Sequence, residues 1–216
     1  MPEVNLLQSI PRSTRNINLR QVNKSAEKIL KALEFGQLYF DGPREYGYGG
    51  YYYDGRWKTV AEAIIIHFNL KPGDKFLDIG CAKGFLVKDL ISLGIDAYGL
   101  DISEYAMLNC EPEVIGRLHL GNAISLPFPD KSFKACSAIN IIHNLTRENC
   151  VIALKEIEMV APGNGFIQVD SYYTKEQKEI FENWALTARF YGYPEEWFAV
   201  FKEANYTGDW FWTIIQ

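Results

Sequence analysis

Short apolar strands alternate with helices through the middle of this chain, and this alternation limits the fold more than any other feature. Most strand segments are followed by a turn and then by a helical pattern. The predicted strands are KFLDI (75–79), DAYGLD (96–101), RLHL (117–120), KACSAIN (134–140) and GFIQVDS (165–171). Consecutive strands joined through helices are typical of a parallel sheet that is covered on both faces. The sequence therefore predicts an α/β fold, a three-layer sandwich with a mostly parallel, doubly wound sheet.

Helical patterns and glycine stops organise the rest of the chain. Residues 1–23 show no regular pattern, whereas 209–215 read as a final strand. The predicted helices are 24–36, 59–70, 85–94, 103–109, 146–160, 174–189 and 195–204. No change of composition separates two folding units. We therefore predict one domain, in which an N-terminal extension of residues 1–58, with a helix and an aromatic lid, packs on a core of residues 59–216.

Length, charge and cysteine content exclude several classes of protein. The 216 residues suit one domain, and no run of 18 or more apolar residues predicts a membrane span. The net charge of −5 makes nucleic acid an unlikely partner, because excess negative charge repels backbone phosphates. The four cysteines are widely spaced, form no metal-binding pattern and are interpreted as free thiols. The N-terminus has no apolar secretory signal, so we expect a cytoplasmic protein without a metal or a membrane partner.

The N-terminal region is locally basic although the whole chain is acidic. Up to residue 31, six basic residues stand against Glu3 and Glu27. The basic residues are Arg12, Arg15, Arg20, Lys24, Lys28 and Lys31. One interpretation is a solvated arm, and the other is a patch that meets an anionic substrate.

The turn after the first predicted strand carries residues suited to binding a nucleoside. The segment LDIGCAKGF places Asp78 at the strand end and Gly80 and Gly84 in the turn before the helix. Asp101 ends the next strand, 21 residues after Gly80, where a carboxylate accepts hydrogen bonds from ribose hydroxyls. A dinucleotide-binding G-x-G-x-x-G motif that starts at Gly80 would need glycine at two further positions. This chain has Ala82 at the first of them and the bulky Phe85 at the second. These residues predict a ligand with a ribose but no phosphates, and with a cationic group near Asp78.

Four segments together resemble the motifs of the class I S-adenosylmethionine-dependent methyltransferases. FLDIGCAKG is similar to the first motif of this family, and GLDIS (99–103) to its ribose-binding motif. GNAISLPFPDKSF (121–133) is similar to the adenine-binding segment, and SAINIIHNL (137–145) to the fourth strand and its turn. The motifs occur in order at suitable spacing within residues 59–171. The resemblance implies a Rossmann-like fold and S-adenosyl-L-methionine as the cofactor.

The resemblance also implies which residues contact the cofactor. Asp78 and the backbone of the following turn would hold the methionine part, Asp101 the ribose, and Ile102 one face of the adenine. The other implied contacts are Gly80, Cys81, Ala82 and Gly84 in the turn, Asn122 and Ala123 at the adenine edge, and Asn140 at the methionine amine. Two positions depart from the family's pattern, since many members have glycine at Ala82 and aspartate at Asn122. Asparagine still accepts a hydrogen bond through its amide oxygen, so we expect adenine binding to persist.

Two residues beside the predicted cleft are candidates for acting on a methyl acceptor. His143 follows the fourth strand and titrates near neutral pH, so it is a candidate general base, although capping the turn suits its position equally well. Asp170 ends the fifth strand and would orient an acceptor or cap the following helix.

The stretch EYGYGGYYYDGRW (45–57) combines aromatic rings with glycines just before the helix that leads to the first strand. This position favours a lid over the cleft, with glycine hinges and with rings that exclude water and face a sulfonium. The alternative is that the rings pack the extension onto the sheet. The candidate lid residues are Tyr46, Tyr48, Tyr51, Tyr53, Arg56 and Trp57.

These patterns predict an enzyme that transfers a methyl group from S-adenosylmethionine to an oxygen or nitrogen atom of a small polar metabolite, anionic or sugar-linked. The short extensions leave little room for a macromolecule-binding module. Two alternatives stay open: a protein that binds the cofactor without catalysis, and a methyltransferase that acts on RNA or protein through its basic arm. A nicotinamide oxidoreductase is disfavoured by Phe85. Neither the acceptor nor the oligomeric state follows from the sequence.

Overall fold

The computed structural model describes residues 2–10 and 15–215, and a six-stranded sheet forms the centre of this part of the chain. The strands are β1 (Lys75–Ile79), β2 (Asp96–Asp101), β3 (Leu118–Leu120), β4 (Ala135–Ile139), β5 (Gly165–Ser171) and β6 (Asp209–Ile214). Their order is β3-β2-β1-β4-β5-β6, and each neighbouring pair is parallel. The predicted doubly wound α/β fold is confirmed, and the six strands are parallel throughout rather than mostly parallel.

Helices cover both faces of the sheet because its strand residues point alternately to opposite sides. Leu77 and Ile79 belong to an apolar cluster with the helices over 147–160 and 194–204, whereas Phe76 belongs to a second cluster with the helices over 57–67 and 85–92. The helices are α1 (Ile17–Asn23), α2 (Ala26–Leu33), α3 (Gln37–Phe40), α4 (Trp57–His67), α5 (Phe85–Ser92), α6 (Glu104–Leu108), α7 (Arg147–Val160), α8 (Lys175–Trp184) and α9 (Pro194–Ala204). The result is the three-layer sandwich expected from the sequence.

The N-terminal extension differs from the sequence-based prediction. Its first part was expected to be irregular and to lead into a single helix, but it contains α1, α2 and α3. Asn16 begins α1 by accepting a hydrogen bond from the backbone N–H of Leu19, and Ser25 caps α2 in the same way. The predicted helix over 24–36 is shorter because Phe35 has a φ of 47°, which is incompatible with a continuing right-handed helix. Arg12 of the basic arm lies outside the described residues.

The far edge of the sheet is completed by residues from the start of the chain. Glu3 forms a parallel bridge with Trp210 in β6, and the backbone N–H of Val4 donates to the carbonyl of Trp210 at 2.9 Å. Leu6 is buried in the cluster of α4 and α5. Residues 2–10 are therefore part of the packed structure.

No helix within residues 2–10 and 15–215 has both the length and the apolar character needed to cross a membrane.

Candidate active site

A cavity lies beyond the carboxyl ends of β1, β2 and β4, where the strand order reverses direction. Ligands bind at this point in open parallel sheets, because the loops diverge there and leave a crevice. The predicted site residues that line the cavity are Gly80, Ala82, Asp101, Ile102, Asn122, Ala123, Asn140 and Tyr48. The fold thus brings residues from four separate sequence motifs to one place.

The turn between β1 and α5 is shaped by backbone conformations that favour glycine. Gly80 has a φ of 79°, and a Cβ atom there would lie 2.1 Å from Cγ2 of Ile141, inside the cavity wall. Gly84 precedes α5 with a φ of 81°, and its Cβ would lie 2.8 Å from a methyl group of Val114. Ala82 also has a positive φ, 50°, which strains a residue with a side chain. The turn therefore requires glycine both for its backbone conformation and for its close contacts with Ile141 and Val114.

Cys81 lies beneath this turn and not in the cavity lining. Its side chain is buried, and a Cβ on Gly99 of β2 would lie 2.6 Å from its Sγ. Burial raises the pKa of the Cys81 thiol well above its usual value. The thiol is therefore held neutral and fills space between β1 and β2.

Asp101 presents a fixed carboxylate at the end of β2. Its Oδ2 accepts a hydrogen bond from the backbone N–H of Ala82 at 2.8 Å, and its Oδ1 accepts from Ser103 N–H at 2.9 Å. Each carboxylate oxygen has a second lone pair, so both would still accept from ribose hydroxyls. Burial raises the pKa of Asp101, while these backbone hydrogen bonds oppose the rise.

Asp78 is a buried carboxyl close to the turn, although it does not line the cavity directly. Its neighbours across the sheet are Gly99 in β2 and Ser137 in β4, and the hydroxyl of Ser137 donates to its Oδ1 at 2.8 Å. Burial raises the pKa of Asp78 to about 7. The Ser137 hydrogen bond opposes this rise, and the negative charge of Asp101 adds a smaller increase. A cationic group nearby would stabilise its charged form.

The opposite end of the cavity combines an exposed apolar surface with a fixed side-chain amide. Ile102 is 55% exposed although it is large and apolar, and it faces the cavity with Ala123. Asn122 Oδ1 accepts a hydrogen bond from the backbone N–H of Ile124 at 3.2 Å, which fixes the side-chain amide. An exposed apolar face next to a fixed amide suits a flat heterocycle with hydrogen-bonding edges.

Two asparagines shape the cavity after β4. Asn140 has a φ of 64°, and its backbone carbonyl accepts from the side-chain amide of Asn144 at 3.2 Å. Asn144 Oδ1 is buried and has no hydrogen-bond partner among the residues that the structure describes. An unpaired acceptor at a cavity wall indicates a ligand with a donor group, because leaving such an atom unsatisfied costs about 1–3 kcal/mol.

Rings of the N-terminal extension cover the turn, and all of them except Tyr51 line the cavity. We call this group the aromatic lid: Phe35, Tyr39, Phe40, Tyr48 and Tyr51. The ring of Tyr48 lies 4.5 Å from that of Tyr51, and Tyr51 stacks on Phe85 with ring centroids 4.7 Å apart. The lid therefore packs on the first turn of α5.

A single carboxylate fixes the aromatic lid to the turn. Asp41 accepts hydrogen bonds from Lys83 Nζ at 2.7 Å, from the Tyr105 hydroxyl at 2.7 Å and from the backbone N–H of Tyr51 at 3.1 Å. Lys83 also donates to the carbonyl of Tyr51 at 2.8 Å. Because Lys83 belongs to the cofactor turn, the lid and the turn form one connected unit.

The remaining residues predicted for the lid lie away from the cavity. Arg56 pairs with Asp54, with Nη2 and Oδ2 2.5 Å apart, on the exposed side of the segment. Trp57 begins α4 and packs against the apolar cluster of that helix. The Tyr53 hydroxyl donates to Asp89 at 2.5 Å, and Lys28 Nζ lies 6.0 Å from the centre of the Tyr46 ring. These four residues therefore either pack the extension onto the rest of the domain or make contacts at the surface.

His143 and Asp170 lie side by side at the carboxyl ends of β4 and β5. Nδ1 of His143 is 3.2 Å from the backbone N of Asp170, which donates to it, and Nε2 is 3.8 Å from Asp170 Oδ2. Burial lowers the pKa of His143, and burial raises the pKa of Asp170. When His143 is neutral and Nδ1 accepts this hydrogen bond, the ring proton is on Nε2. The lone pair of Nδ1, which a general base would use, is then already occupied by the backbone N–H of Asp170. Neither side chain is part of the cavity lining.

Sequence reasoning missed several residues that line the cavity. Asn144, Leu145 and Ile141 follow β4, and Phe35, Tyr39 and Phe40 come from the end of α2 and from α3. The segment EFGQLYF places three rings within six residues around a glycine, which could have suggested an aromatic wall as the later tyrosines did. Among the described residues, no cluster of histidine, cysteine, aspartate or glutamate has the geometry of a metal site.

Comparison with known proteins agrees with this geometry. Residues 77–169, from β1 to β5, match the family model described as a methyltransferase domain. This segment contains the turn, Asp101, Asn122 and Asn140. Residues 77–169 thus carry the sequence features of a methyltransferase domain. The residues around the cavity fit S-adenosylmethionine, since Asp101 presents two acceptor oxygens and Asn144 Oδ1 lacks a donor.

Relatives of this methyltransferase domain differ in their named substrates. The chain is 30% identical over 132 residues to demethylmenaquinone methyltransferase of Symbiobacterium thermophilum, covering 54% of this chain and 50% of that protein. It is also 30% identical over 116 residues to probable tRNA methyltransferase 9B of Mus musculus, covering 52% of this chain and 25% of that protein. The chain thus spans half or less of the length of these curated relatives.

The fold is shared with solved structures of methyltransferases. A protein assigned as a methyltransferase of an antibiotic biosynthesis pathway in Anabaena variabilis superposes with a TM-score of 0.54 and 21% identity, covering 68% of this chain and 60% of that one. At this identity the likeness concerns the fold alone.

Proposed function

We propose that this protein transfers a methyl group from S-adenosylmethionine to an oxygen or nitrogen atom of a small polar, anionic metabolite. The observation that carries the proposal is the cavity at the strand-order reversal, where Asp101, the Gly80 turn and the Asn122 segment converge inside the methyltransferase domain. The aromatic lid supports a compact acceptor, because it walls the cavity with rings instead of leaving an open groove.

The cofactor roles follow from the contacts already described. Asp101 would accept from the ribose hydroxyls, Ile102 and Ala123 would contact the adenine, and Asn122 would bind its edge. The backbone from Gly80 to Gly84 and Asn144 Oδ1 would hold the methionine part, whose ammonium group lies within the influence of the buried Asp78 charge. When bound, S-adenosylmethionine supplies a methyl group already activated by a sulfonium. The rings of the lid would exclude water and provide a face suited to a cation.

His143 and Asp170 stay our candidates for the acceptor side. On sequence grounds His143 is the candidate base, and Asp170 the group that would orient an acceptor. Because Nδ1 of His143 accepts from the backbone N–H of Asp170, we propose the reverse assignment, with Asp170 as the proton acceptor and His143 as a positioning residue. Burial raises the pKa of Asp170 toward the range in which a carboxylate removes a proton efficiently. An acceptor that is an uncharged amine would need this base less than a hydroxyl would.

A second candidate function is methylation of RNA. It is favoured by the similarity to probable tRNA methyltransferase 9B and by the basic residues of α1 and α2. A third, binding of the cofactor without catalysis, would leave the cavity intact but produce no transfer to any acceptor.

The test is calorimetric titration of the protein with S-adenosylhomocysteine and, separately, with NADH. We expect micromolar binding of S-adenosylhomocysteine and no binding of NADH. Asp101→Asn should abolish binding, because one carboxylate oxygen becomes an amide that faces a backbone donor. Asp96→Asn is the matched control, since Asp96 lies at the other end of β2 and pairs with Arg117. Binding of NADH, or full binding by Asp101→Asn, would contradict the proposal.

Catalysis is tested separately by incubating the protein with S-adenosylmethionine labelled on the methyl group and with fractions of a metabolite extract. Transfer of label to a small-molecule fraction supports the proposed activity. Label found in RNA alone would favour the second candidate.

A further inference from the structure

Three arginine side chains from separate segments surround one ring outside the cofactor cavity. The ring belongs to Trp184 at the end of α8. The guanidinium carbons lie 4.7 Å (Arg20), 5.2 Å (Arg44) and 5.6 Å (Arg15) from its centre. We call this group the arginine cluster. A guanidinium within about 6 Å of an indole centre is attracted by the ring electrons, which restricts where the guanidinium lies.

The arginine cluster carries positive charge that no directly paired carboxylate neutralises among the described residues. No salt bridge within residues 2–10 and 15–215 involves Arg15, Arg20 or Arg44. Arg20 and Arg44 instead donate to backbone carbonyls, and they share that of Gly47 at 3.5 Å and 3.0 Å. Lys24 Nζ also donates to two carbonyls, those of Glu182 and Ala185. Because each guanidinium has five N–H groups, several donors stay available.

The electrostatic cost of this arrangement is visible in the arginines themselves. Burial and then the charge of Arg44 lower the pKa of Arg20, while burial and then the charge of Arg15 lower the pKa of Arg44. Arg20 is only 8% exposed. An anion bound among the three side chains would remove this repulsion.

The arginine cluster adjoins the acceptor side of the cavity. Arg44 donates to the carbonyl of Tyr48 at 2.8 Å, and the rings of Tyr48 and Tyr39 line the cavity. On its other side the positive charge of Arg15 acts on Asp170, at the carboxyl end of β5. The adenine end of the cavity lies toward β2 and β3, across the strand-order reversal. The arginine cluster therefore lies on the side of the cavity away from its adenine end.

We infer that the arginine cluster is a binding site for an oxyanion of the methyl acceptor, a phosphate or carboxylate group carried by a small molecule. The inference rests on the proposed methyltransferase function and adds the chemical group by which the acceptor is recognised. Guanidinium groups in fixed orientations bind phosphate and carboxylate oxygens through paired hydrogen bonds. The bound anion would hold the acceptor by its charged end and leave its nucleophilic atom beside the cavity.

A small anion fits this site better than an RNA backbone. The arginines converge on a single ring instead of forming a stripe, and Arg20 is almost fully buried. Glu45, which pairs with Lys28, and Glu182 on α8 flank the cluster and would repel neighbouring phosphates of a polymer.

The test is titration of inorganic phosphate into the full chain saturated with S-adenosylhomocysteine, followed by calorimetry. We expect saturable binding to the unmodified protein and a loss of about tenfold in affinity, or about 1.4 kcal/mol, for Arg15→Gln and for Arg44→Gln, since each removes charge-assisted hydrogen bonds to the anion. Arg117→Gln is the matched control, because Arg117 lies 5.0 Å from the Tyr98 ring but pairs with Asp96. This control should bind phosphate within about twofold of the unmodified protein.

The same titrations separate failure of the inference from failure of the proposed function. Within residues 2–10 and 15–215, the side chain of Arg15 makes no hydrogen bond. The Arg15→Gln variant should therefore fold and should bind S-adenosylhomocysteine normally. Normal S-adenosylhomocysteine binding without phosphate binding overturns the arginine cluster as a site and leaves the methyltransferase assignment intact. Malonate in place of phosphate distinguishes a carboxylate from a phosphate acceptor. Binding of tRNA that weakens steeply with salt, and that is lost in Arg15→Gln, would overturn the small-molecule acceptor in favour of RNA.

Discussion

At the scale of single residues, Gly80 has two separable requirements. Its φ of 79° favours glycine, and its missing side chain makes room for Ile141. Gly73 has the first requirement without the second, since its φ is 86° and nothing lies within 4 Å of a Cβ built there. A comparison of substitutions at Gly80 and Gly73 therefore separates the effect of backbone strain from the effect of the close contact with Ile141 in the cavity wall.

Gly80→Ala should destabilise the protein more than Gly73→Ala. Both substitutions carry about 1–2 kcal/mol of strain from the positive φ. Gly80→Ala adds overpacking against Ile141, which costs a further 1–3 kcal/mol, roughly. Urea unfolding of the two variants measures the difference. Equal losses would mean that Ile141 moves aside and that the close approach has no energetic weight.

Asp78 makes cofactor affinity depend on pH. Its folded-state pKa is raised to about 7, so it is largely neutral below that value and charged above it. A ligand ammonium group favours the charged form, so affinity for S-adenosylhomocysteine should rise as pH increases through 7 and fall by up to about tenfold per unit below it. Calorimetry at pH 6, 7 and 8 measures this dependence. Asp78→Asn should bind weakly with a flat profile, and an unchanged profile in this variant would assign the dependence to another group.

At the scale of elements, Asp41 joins the aromatic lid to the cofactor turn. It receives donors from Lys83, Tyr105 and the backbone of Tyr51, so it connects α3, the lid and α6. The side chain is 31% exposed, which reduces the value of each charged contact by solvent screening. The lid is therefore held firmly enough to be ordered but by contacts that water can replace.

Asp41→Asn should loosen the lid without unfolding the sheet. Loss of the charge-assisted hydrogen bonds should increase hydrogen exchange of the lid amides, such as Tyr48 and Tyr51, by about three- to tenfold. Asp54→Asn is the control, because Asp54 lies in the same segment but, among the described residues, its side chain pairs only with Arg56. Hydrogen exchange followed by mass spectrometry resolves the segment. Exchange that stays unchanged in Asp41→Asn would show that ring stacking alone holds the lid.

The elements of the sheet were predictable from the sequence, whereas the walls of the cavity were only partly so. KFLDI, DAYGLD and GFIQVDS match β1, β2 and β5 residue for residue, because buried parallel strands are short apolar runs bounded by turns. The short α1 escaped prediction because its helix depends on the Asn16 cap and on packing against α8 more than on its own periodicity. Tyr39 and Asn144 escaped because only the tertiary fold brings them to the cavity. The pairing of His143 with Asp170 likewise depends on neighbouring strands.

At the scale of the whole molecule, residues 2–10 belong to the core of the domain. Leu6 is 6% exposed and packs with Val60, Leu90 and Phe166. Glu3 and Val4 extend the sheet beside β6. The extension is thus anchored at its start, by this segment, and again at the aromatic lid.

Leu6→Ala should lower the stability of the entire domain. Removing a buried leucine side chain costs about 2–5 kcal/mol, which corresponds to a fall in Tm of about 4–20 °C for a chain of this size. Leu108→Ala is the control, since Leu108 is 85% exposed and should change Tm by little. Differential scanning calorimetry gives both values. Equal Tm values for the two variants would mean that residues 2–10 contribute nothing to the core.

The bridge between Glu3 and Trp210 has a consequence for synthesis on the ribosome. The segment around Val4, Leu6 and Leu7 is translated long before β6. At ordinary elongation rates the two are separated by roughly 10–40 s, during which these apolar side chains have no sheet edge to join. A nascent chain therefore displays this hydrophobic segment until β6 has been translated, and a chaperone that binds the segment would be released when β6 pairs with it.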